Sequence, residues 1–103
     1  MSRRLSTLAG LTAASLALGT IAAQAYTGQE LANRARIGIA QARVIALKAH
    51  PGKVTDEELE REGGGSGLRY SFDIKRGSVT QEVGVDARTG TVLENKKEGP
   101  NPD

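Results

Sequence analysis

The sequence predicts an α+β fold in which one main helix packs on an antiparallel meander sheet of three to four strands. Apolar residues recur at three- and four-residue steps over residues 39–49, which is the spacing of one helix face. Apolar and polar residues alternate over residues 68–75 and again over residues 79–86, as in strands with one buried face. Because a tight turn at residues 76–78 separates the two alternating segments, we expect them to form an antiparallel hairpin.

The predicted helix is amphipathic and has a defined end. Its apolar face consists of Ile39, Ala42, Ile45, Ala46 and Ala49. Pro51 disfavours helical geometry at His50, and Gly52 permits the reversal that follows, so we expect the helix to end there. Before it, residues 26–36 form a polar N-terminal segment in which one or two helical turns can form.

The segment after the helix, residues 53–62, is rich in acidic residues, and its local propensity allows a helix as well as a strand. Its position favours a strand, because the glycine-rich residues 63–67 follow and lead into the first alternating segment. We interpret residues 63–67 as a flexible hairpin connection, since they are not followed by the Lys and Ser/Thr of a phosphate-binding loop and no helix is expected to begin after them.

The alternating segments define the core and the end of the domain. The residues expected to face the core are Tyr70, Phe72, Ile74, Val83 and Val85, with Ile45 and Ala46 from the helix. Residues 86–90 form a second reversal, and residues 91–95 return as a short strand. The folded domain therefore spans residues 37–96, and residues 97–103, which lack apolar side chains, are expected to be a flexible tail.

Residues 1–25 have the layout of a secretory signal peptide. Arg3 and Arg4 precede an uncharged, largely apolar stretch, and Ala23 and Ala25 occupy the small-residue positions before a cut. We therefore expect cleavage between Ala25 and Tyr26 and a periplasmic or secreted mature protein. The alternative is a membrane anchor, because an uncharged stretch of this length nearly spans a bilayer. Its Ser, Thr and Gly content favours cleavage, which leaves a mature chain outside the membrane.

Composition narrows the classes of function. Arg3 and Arg4 account for the whole excess of basic residues, so the mature chain is formally neutral and has few aromatic residues. This argues against a nucleic-acid partner, which requires a positive surface and usually stacking side chains. The chain contains no Cys, which removes thiol nucleophiles, redox pairs and most zinc sites. We expect no cofactor.

The acidic segment is the first candidate site. On a strand its alternate carboxylates would share one face, at about 7 Å spacing; they are Asp56, Glu58, Glu60 and Glu62. That spacing is wide for one ion, so a metal site on Asp56, Glu58 and Glu60 is the weaker alternative. We expect the face to be solvated, or paired with Arg69, Lys75 and Arg88 of neighbouring strands.

Two further candidates are His50 and Asp86. His50 is the single histidine, and no nucleophile or orienting group is singled out beside it, so a helix-terminal role is favoured over catalysis. Asp86 precedes Thr89-Gly90, where its carboxylate can accept hydrogen bonds from backbone amides two and three residues on. Gly90 can take the left-handed conformation, so we expect Asp86 and Gly90 to be structural turn residues and no residue to be catalytic.

The order of these segments resembles the PepSY domain over about residues 37–95. The most specific likeness is Val-Asp-Ala-x-Thr-Gly-x-Val at residues 85–92, supported by Tyr-x-Phe-x-Ile at residues 70–74 and Ala-x-Pro-Gly at residues 49–52. The resemblance implies a small exported, non-enzymatic module that binds a protein and inhibits or regulates a peptidase in the cell envelope. No peptidase domain follows in this sequence, so inhibition is expected in trans. A cation or small-ligand binder that uses residues 56–62 is the alternative, and the oligomeric state is open.

Overall fold

The computed structural model describes residues 25–99, and it confirms the predicted α+β fold. A 3-10 helix at Gln29–Arg34 lies in the polar N-terminal segment. Helix α1 follows at Ile39–Ala49, ending where the His50-Pro51-Gly52 signal predicts. The four strands are β1 (Lys53–Arg61), β2 (Leu68–Arg76), β3 (Val79–Asp86) and β4 (Val92–Lys97).

The sheet is a meander in which each strand pairs antiparallel with the next, in the order β1-β2-β3-β4. The β2–β3 hairpin pairs Phe72 with Val83 and Tyr70 with Val85, so one register places the apolar positions of both strands on one face. Strand β4 reaches Lys97, beyond the predicted strand end and one residue into the segment expected as a tail. The Glu98 amide still donates to the Thr80 carbonyl, 2.8 Å away, which continues the β3–β4 pairing.

A β-bulge at Thr55 sets the faces of β1. Val54 pairs with Ile74, whereas Asp56 pairs with Asp73, so the two strands shift register at Thr55. Without the bulge, the two apolar residues of β1 would point to opposite faces, because they are an odd number of residues apart. The bulge brings Val54 to the same core as Leu59.

The core lies between α1 and one face of the sheet. Every strand residue predicted to face it is fully buried, and so is Ala46, while Ile45 packs against it in part. The helix contributes small side chains at the closest contact, Ala42 and Ala46. The predicted apolar face was wrong at Ala49, which is exposed because the stripe continues into the last turn, past the part of the helix that the sheet covers.

The N-terminal segment is tied to the domain at several points. The Ala87 carbonyl accepts hydrogen bonds from the amides of Arg36 and Ile37, at 2.9 and 3.1 Å. The Tyr70 hydroxyl donates to the Ile37 carbonyl at 2.8 Å. Further upstream, Thr27 forms a parallel bridge with Glu58 at the edge of β1.

The predicted signal peptide lies outside the described residues, apart from Ala25 at its end. The last residues of the predicted tail, 100–103, are also outside them. Within residues 25–99, no helix is both long and apolar enough to cross a membrane.

Candidate functional site

The sheet face opposite α1 is polar and carries a groove, which is the candidate functional site. Alternation places Asp56, Glu58 and Glu60 of β1 on this face, because Glu57 and Leu59 pair with the core residues Phe72 and Tyr70. The groove has a volume of about 490 Å³. We call it the acidic groove; its lining consists of Asp56, Glu58, Glu60, Ser71, Asp73, Glu82, Lys96, Lys97, Glu98 and Gly99.

Asp73, Glu82 and Glu98 are the acidic residues of the groove that sequence reasoning missed. Asp73 pairs directly with Asp56 across β1–β2, and Glu82 pairs with Asp73 across β2–β3. The signal was present in the alternation, since Asp73 and Glu82 occupy the polar positions of their strands. Identifying the cluster required the strand register, which the bulge at Thr55 sets.

Burial and neighbouring carboxylates together raise the pKa values of acidic residues in the groove. Burial, followed by the charge of Asp56 and then those of Glu60 and Asp73, raises the pKa of Glu58. Burial and the charges of Glu98 and Asp56 raise the pKa of Asp73. The groove lining contains six carboxylates and two lysines, so it holds more negative charge than its own basic residues neutralise.

Glu82 shows the same effect in the middle of the sheet. Burial, then the charges of Glu94 and Asp73, raise the pKa of Glu82, and Lys96 opposes them. Lys96 also lies 3.2 Å from a Glu94 carboxylate oxygen. Its positive charge is thus shared between the two carboxylates rather than dedicated to Glu82.

The β1 carboxylates were expected to be solvated or to pair with Arg69, Lys75 and Arg88. Among the described residues these three side chains form no ion pair with β1, although Arg69 lies opposite Glu60 in the strand ladder. Arg69 instead lies across Gly84 toward β4, with its Nη1 3.5 Å from a Glu94 oxygen and its Nη2 donating to the Gly63 carbonyl at 2.9 Å. Gly84 permits this path, since a Cβ there would lie 2.8 Å from the Arg69 Cδ. Lys75 pairs with Lys53 in the ladder, and Arg88 donates to backbone carbonyls.

Two β1 carboxylates do find partners within the domain. The Ser71 hydroxyl donates to Glu60 at 2.9 Å on the groove side. On the helix side, Glu57 forms an ion pair with Arg43 of α1. Among the described residues, Asp56, Glu58, Asp73 and Glu82 form no ion pair.

The weaker metal alternative was placed on Asp56, Glu58 and Glu60. The structure puts all three along the acidic groove. Within residues 25–99, however, no three histidine or carboxylate side chains come close enough together to hold a metal ion. Along β1 itself, alternate carboxylates are separated by about 7 Å.

Asp86 lies at the end of β3, where its side chain is almost completely buried. Its carboxylate accepts from the Arg88 amide at 2.8 Å and the Thr89 amide at 3.1 Å. It also accepts from the Ser66 amide at 2.6 Å and the Ser66 hydroxyl at 2.8 Å. Burial opposes the charge, but these hydrogen bonds outweigh it and hold the pKa of Asp86 below its usual range.

The bonds from Ser66 were not predicted, and they revise the interpretation of the glycine-rich connection. That segment was expected to be flexible, yet Asp86 holds its Ser66 by two hydrogen bonds. Gly65 packs so closely that a Cβ would lie 2.3 Å from the Asp86 carboxylate. At the other end of the same turn, Gly90 has φ +80°, and its amide donates to the Asp86 carbonyl at 2.9 Å.

The remaining predicted positions lie apart from the groove. His50 follows α1, on the other side of the sheet, and its Nε2 is buried without a hydrogen-bond partner among the described residues. Ala25 is exposed. The Tyr26 ring lies against Tyr70, with 6.5 Å between ring centroids, and burial together with Tyr26 raises the pKa of Tyr70 to about 12.

Comparison with known families gives one result for this chain. Residues 36–96, more than half of the sequence, match the family model for PepSY, described as the peptidase propeptide and YPEB domain. No curated protein and no solved structure gives a significant match.

Proposed function

The chain belongs to the PepSY family, and we propose that it is a non-enzymatic module that binds, and thereby inhibits or regulates, a peptidase of the cell envelope. Domains of this family are generally propeptide- or inhibitor-like modules, typically without catalytic activity of their own. The family supplies the class of partner. The surface that would meet the partner has to be argued from this chain's own residues.

The observation that carries the proposal is the contrast between the two sheet faces. One face is closed by α1 over a fully apolar core. The other presents four strands and the acidic groove without any described segment across it. A broad, rigid sheet face suits protein recognition, because binding there needs no ordering of loops.

The charge of the groove supports a partner with a basic surface. Burial raises the pKa values of Glu58, Asp73 and Glu82, and repulsion from neighbouring carboxylates raises them further. Lysine or arginine side chains of a partner would relieve this repulsion and would accelerate association. Such an interaction weakens as the salt concentration rises.

We further propose that residues 1–25 are a signal peptide and that the mature protein begins at Tyr26 in the periplasm or outside the cell. Ala23 and Ala25 at the small-residue positions support this, as does the occurrence of PepSY domains in envelope and extracellular proteins. Intact-mass measurement of the exported protein tests the assignment. A mass that retains residues 1–25 would contradict it.

The proposed function is tested by capture followed by an activity assay. Residues 26–103 serve as bait in an envelope extract, and each captured peptidase is purified and assayed with and without the bait. We expect concentration-dependent inhibition of at least one peptidase. If no captured protein is a peptidase, or if none is affected, the regulatory proposal fails.

Matched variants show whether the acidic groove is the contact surface. The double variant Glu58→Gln/Glu82→Gln removes two charges from the groove, whereas Glu30→Gln/Glu62→Gln removes two exposed charges outside its lining. Exposed charge pairs contribute about 0.2 to 1 kcal/mol each, so we expect roughly a tenfold loss of affinity for the first variant and little change for the second. Equal losses in both would indicate attraction to net charge alone.

The second candidate function is binding of a cation or small ligand by residues 56–62. No three of these carboxylates converge among the described residues, so the observation in its favour is the groove itself, which Asp56, Glu58 and Glu60 line together with Asp73 and Glu82. Calorimetric titration with calcium, zinc and copper ions distinguishes it. Micromolar binding that is lost in Glu58→Gln and Glu60→Gln would favour this function over peptidase regulation.

A further inference from the structure

The first residues of the proposed mature chain are built into the fold directly after the proposed cleavage site. The Thr27 carbonyl accepts a hydrogen bond from the Leu59 amide of β1, at 2.8 Å. The Tyr26 carbonyl accepts from the Gln29 amide at 3.3 Å, so the chain turns back at once. The Tyr26 ring meanwhile packs against Tyr70.

Gly28 fixes how closely this segment lies on β1. Its φ is +87°, a conformation that glycine adopts without strain. A Cβ at this position would lie 1.7 Å from the Leu59 carbonyl oxygen, so no other residue fits while the segment is docked. Docking of residues 26–28 is therefore a specific contact of backbone with backbone.

A signal peptidase needs the same residues in a different conformation. It hydrolyses the Ala25–Tyr26 bond by adding water, which leaves a carboxylate on Ala25 and an amino group on Tyr26. The small residues before the cut are read with the backbone extended, and the residue after the cut must enter the same cleft. A chain that turns back between Tyr26 and Gln29, with its Tyr26 ring against the core, does not present that extended backbone.

We propose that the Ala25–Tyr26 bond must be cut before residues 26–28 dock on β1, because the docked segment prevents the signal peptidase from reaching this bond. This inference rests on the proposed signal peptide. Cleavage of a folded precursor then proceeds only through the molecules in which the segment is undocked, so the rate equals that of an undocked site multiplied by the undocked fraction. The order of processing and folding is thereby set by the fold itself.

The test measures cleavage of the full-length precursor by a purified signal peptidase in detergent, with intact mass as the readout. A peptide of residues 18–32 gives the rate for an undocked site. We expect the folded precursor to be cut at least about tenfold more slowly than the peptide. Gly28→Ala, which cannot dock, should restore a rate close to that of the peptide.

Two controls separate docking from other effects. Gly38→Ala changes a glycine with negative φ and open space around its Cβ position, so its precursor should be cut as slowly as the wild type. A peptide of residues 18–32 carrying Gly28→Ala should be cut like the wild-type peptide, which shows that recognition itself is unchanged. If Gly28→Ala does not fold, Tyr26→Ala, which removes only the ring contact, should accelerate cleavage of the precursor relative to its own peptide.

The outcomes are distinct. Equal rates for wild-type precursor and peptide, or a Gly28→Ala precursor as slow as the wild type, would overturn the inference while leaving the signal peptide in place. A wild-type peptide that is not cut between Ala25 and Tyr26 would overturn the signal peptide as well.

Discussion

The two faces of the sheet are formed by the same strands but have opposite effects on stability. Phe72 and Val83 point to the helix and are completely buried, whereas their neighbours Asp73 and Glu82 line the acidic groove. The first pair stabilises the fold by removing apolar surface from water. The second pair carries charge whose repulsion costs stability. A charged surface that lowers the stability of the fold is a better candidate for a binding site than a solvated surface without such repulsion.

The largest loss of stability is expected from a substitution on the sheet face that α1 covers. Phe72→Ala removes a fully buried ring and leaves a cavity, which should lower the free energy of unfolding by about 3 to 5 kcal/mol. Urea denaturation of residues 26–103 measures it, with Lys75→Ala, an exposed β2 residue, as the control expected to stay within about 0.5 kcal/mol. If Phe72→Ala were no less stable than Lys75→Ala, the core would have been assigned to the wrong face.

Asp86 connects the turn after β3 with the glycine-rich connection between β1 and β2. Asp86→Ala leaves the Ser66 donors and two turn amides without their acceptor, and we expect a loss of about 2 to 4 kcal/mol. Asp86→Asn, which keeps one acceptor oxygen, should lose less. Chemical denaturation at neutral pH compares the two variants. Partner binding by the folded fraction should be unchanged, and its loss without a loss of stability would move Asp86 to a functional site.

The pKa of Asp86 adds an acid dependence. Because its native-state pKa lies below the ordinary value of 3.8, its contribution to stability is fully present above pH 3.8 and is lost as the pH falls further toward the native-state pKa. Asp86→Asn should therefore show a shallower loss of stability below pH 3.8 than the wild type.

The alternation of apolar and polar residues predicts which side chains lie on the sheet face that α1 covers. The composition of the acidic groove on the other face depends on the strand register, which the sequence does not indicate. Tyr70, Phe72 and Ile74 alternate with polar residues, and this local pattern correctly predicts that they are buried. The position of Asp56 opposite Asp73 depends on a bulge at Thr55, and no sequence signal marks an extra residue in a polar strand. Likewise, the turn bonds of Asp86 span two and three residues, whereas its bonds to Ser66 connect segments that only the tertiary fold brings together.

A smaller effect is expected at Gly90, where the helix and the last turn meet. Its φ of +80° strains any β-branched residue, and a Cβ there would lie 3.3 Å from the Ile45 Cδ1. Gly90→Val should cost about 1 to 3 kcal/mol. Gly63→Val, at an exposed glycine with open space and no positive φ, is the matched control. Thermal denaturation that leaves both variants alike would show that the turn accommodates a side chain.

The smallest effect on stability is expected from the carboxylates of the acidic groove, on the sheet face opposite α1. Glu58, Asp73 and Glu82 have raised pKa values, so the native state binds protons more readily than the unfolded state. Stability should rise as the pH falls from neutral through these raised values, and the gain should be complete below the ordinary values of 4.5 and 3.8. Urea denaturation across this range measures the rise, which Asp73→Asn should flatten. A wild type that only loses stability between pH 7 and pH 5 would contradict the assigned repulsion.

The bridge at Thr27 also bears on self-association. The free backbone edge of an outer strand is where a second copy adds and where fibrous aggregates begin. Thr27 occupies the Leu59 amide near the end of β1, and Gly28 covers the neighbouring carbonyl, so an incoming strand would first have to displace them. A chain truncated to begin at Arg36 should therefore scatter light at concentrations at which residues 26–103 remain monodisperse. Residues 26–28, the first residues after the proposed cleavage site, would then protect the mature protein against aggregation.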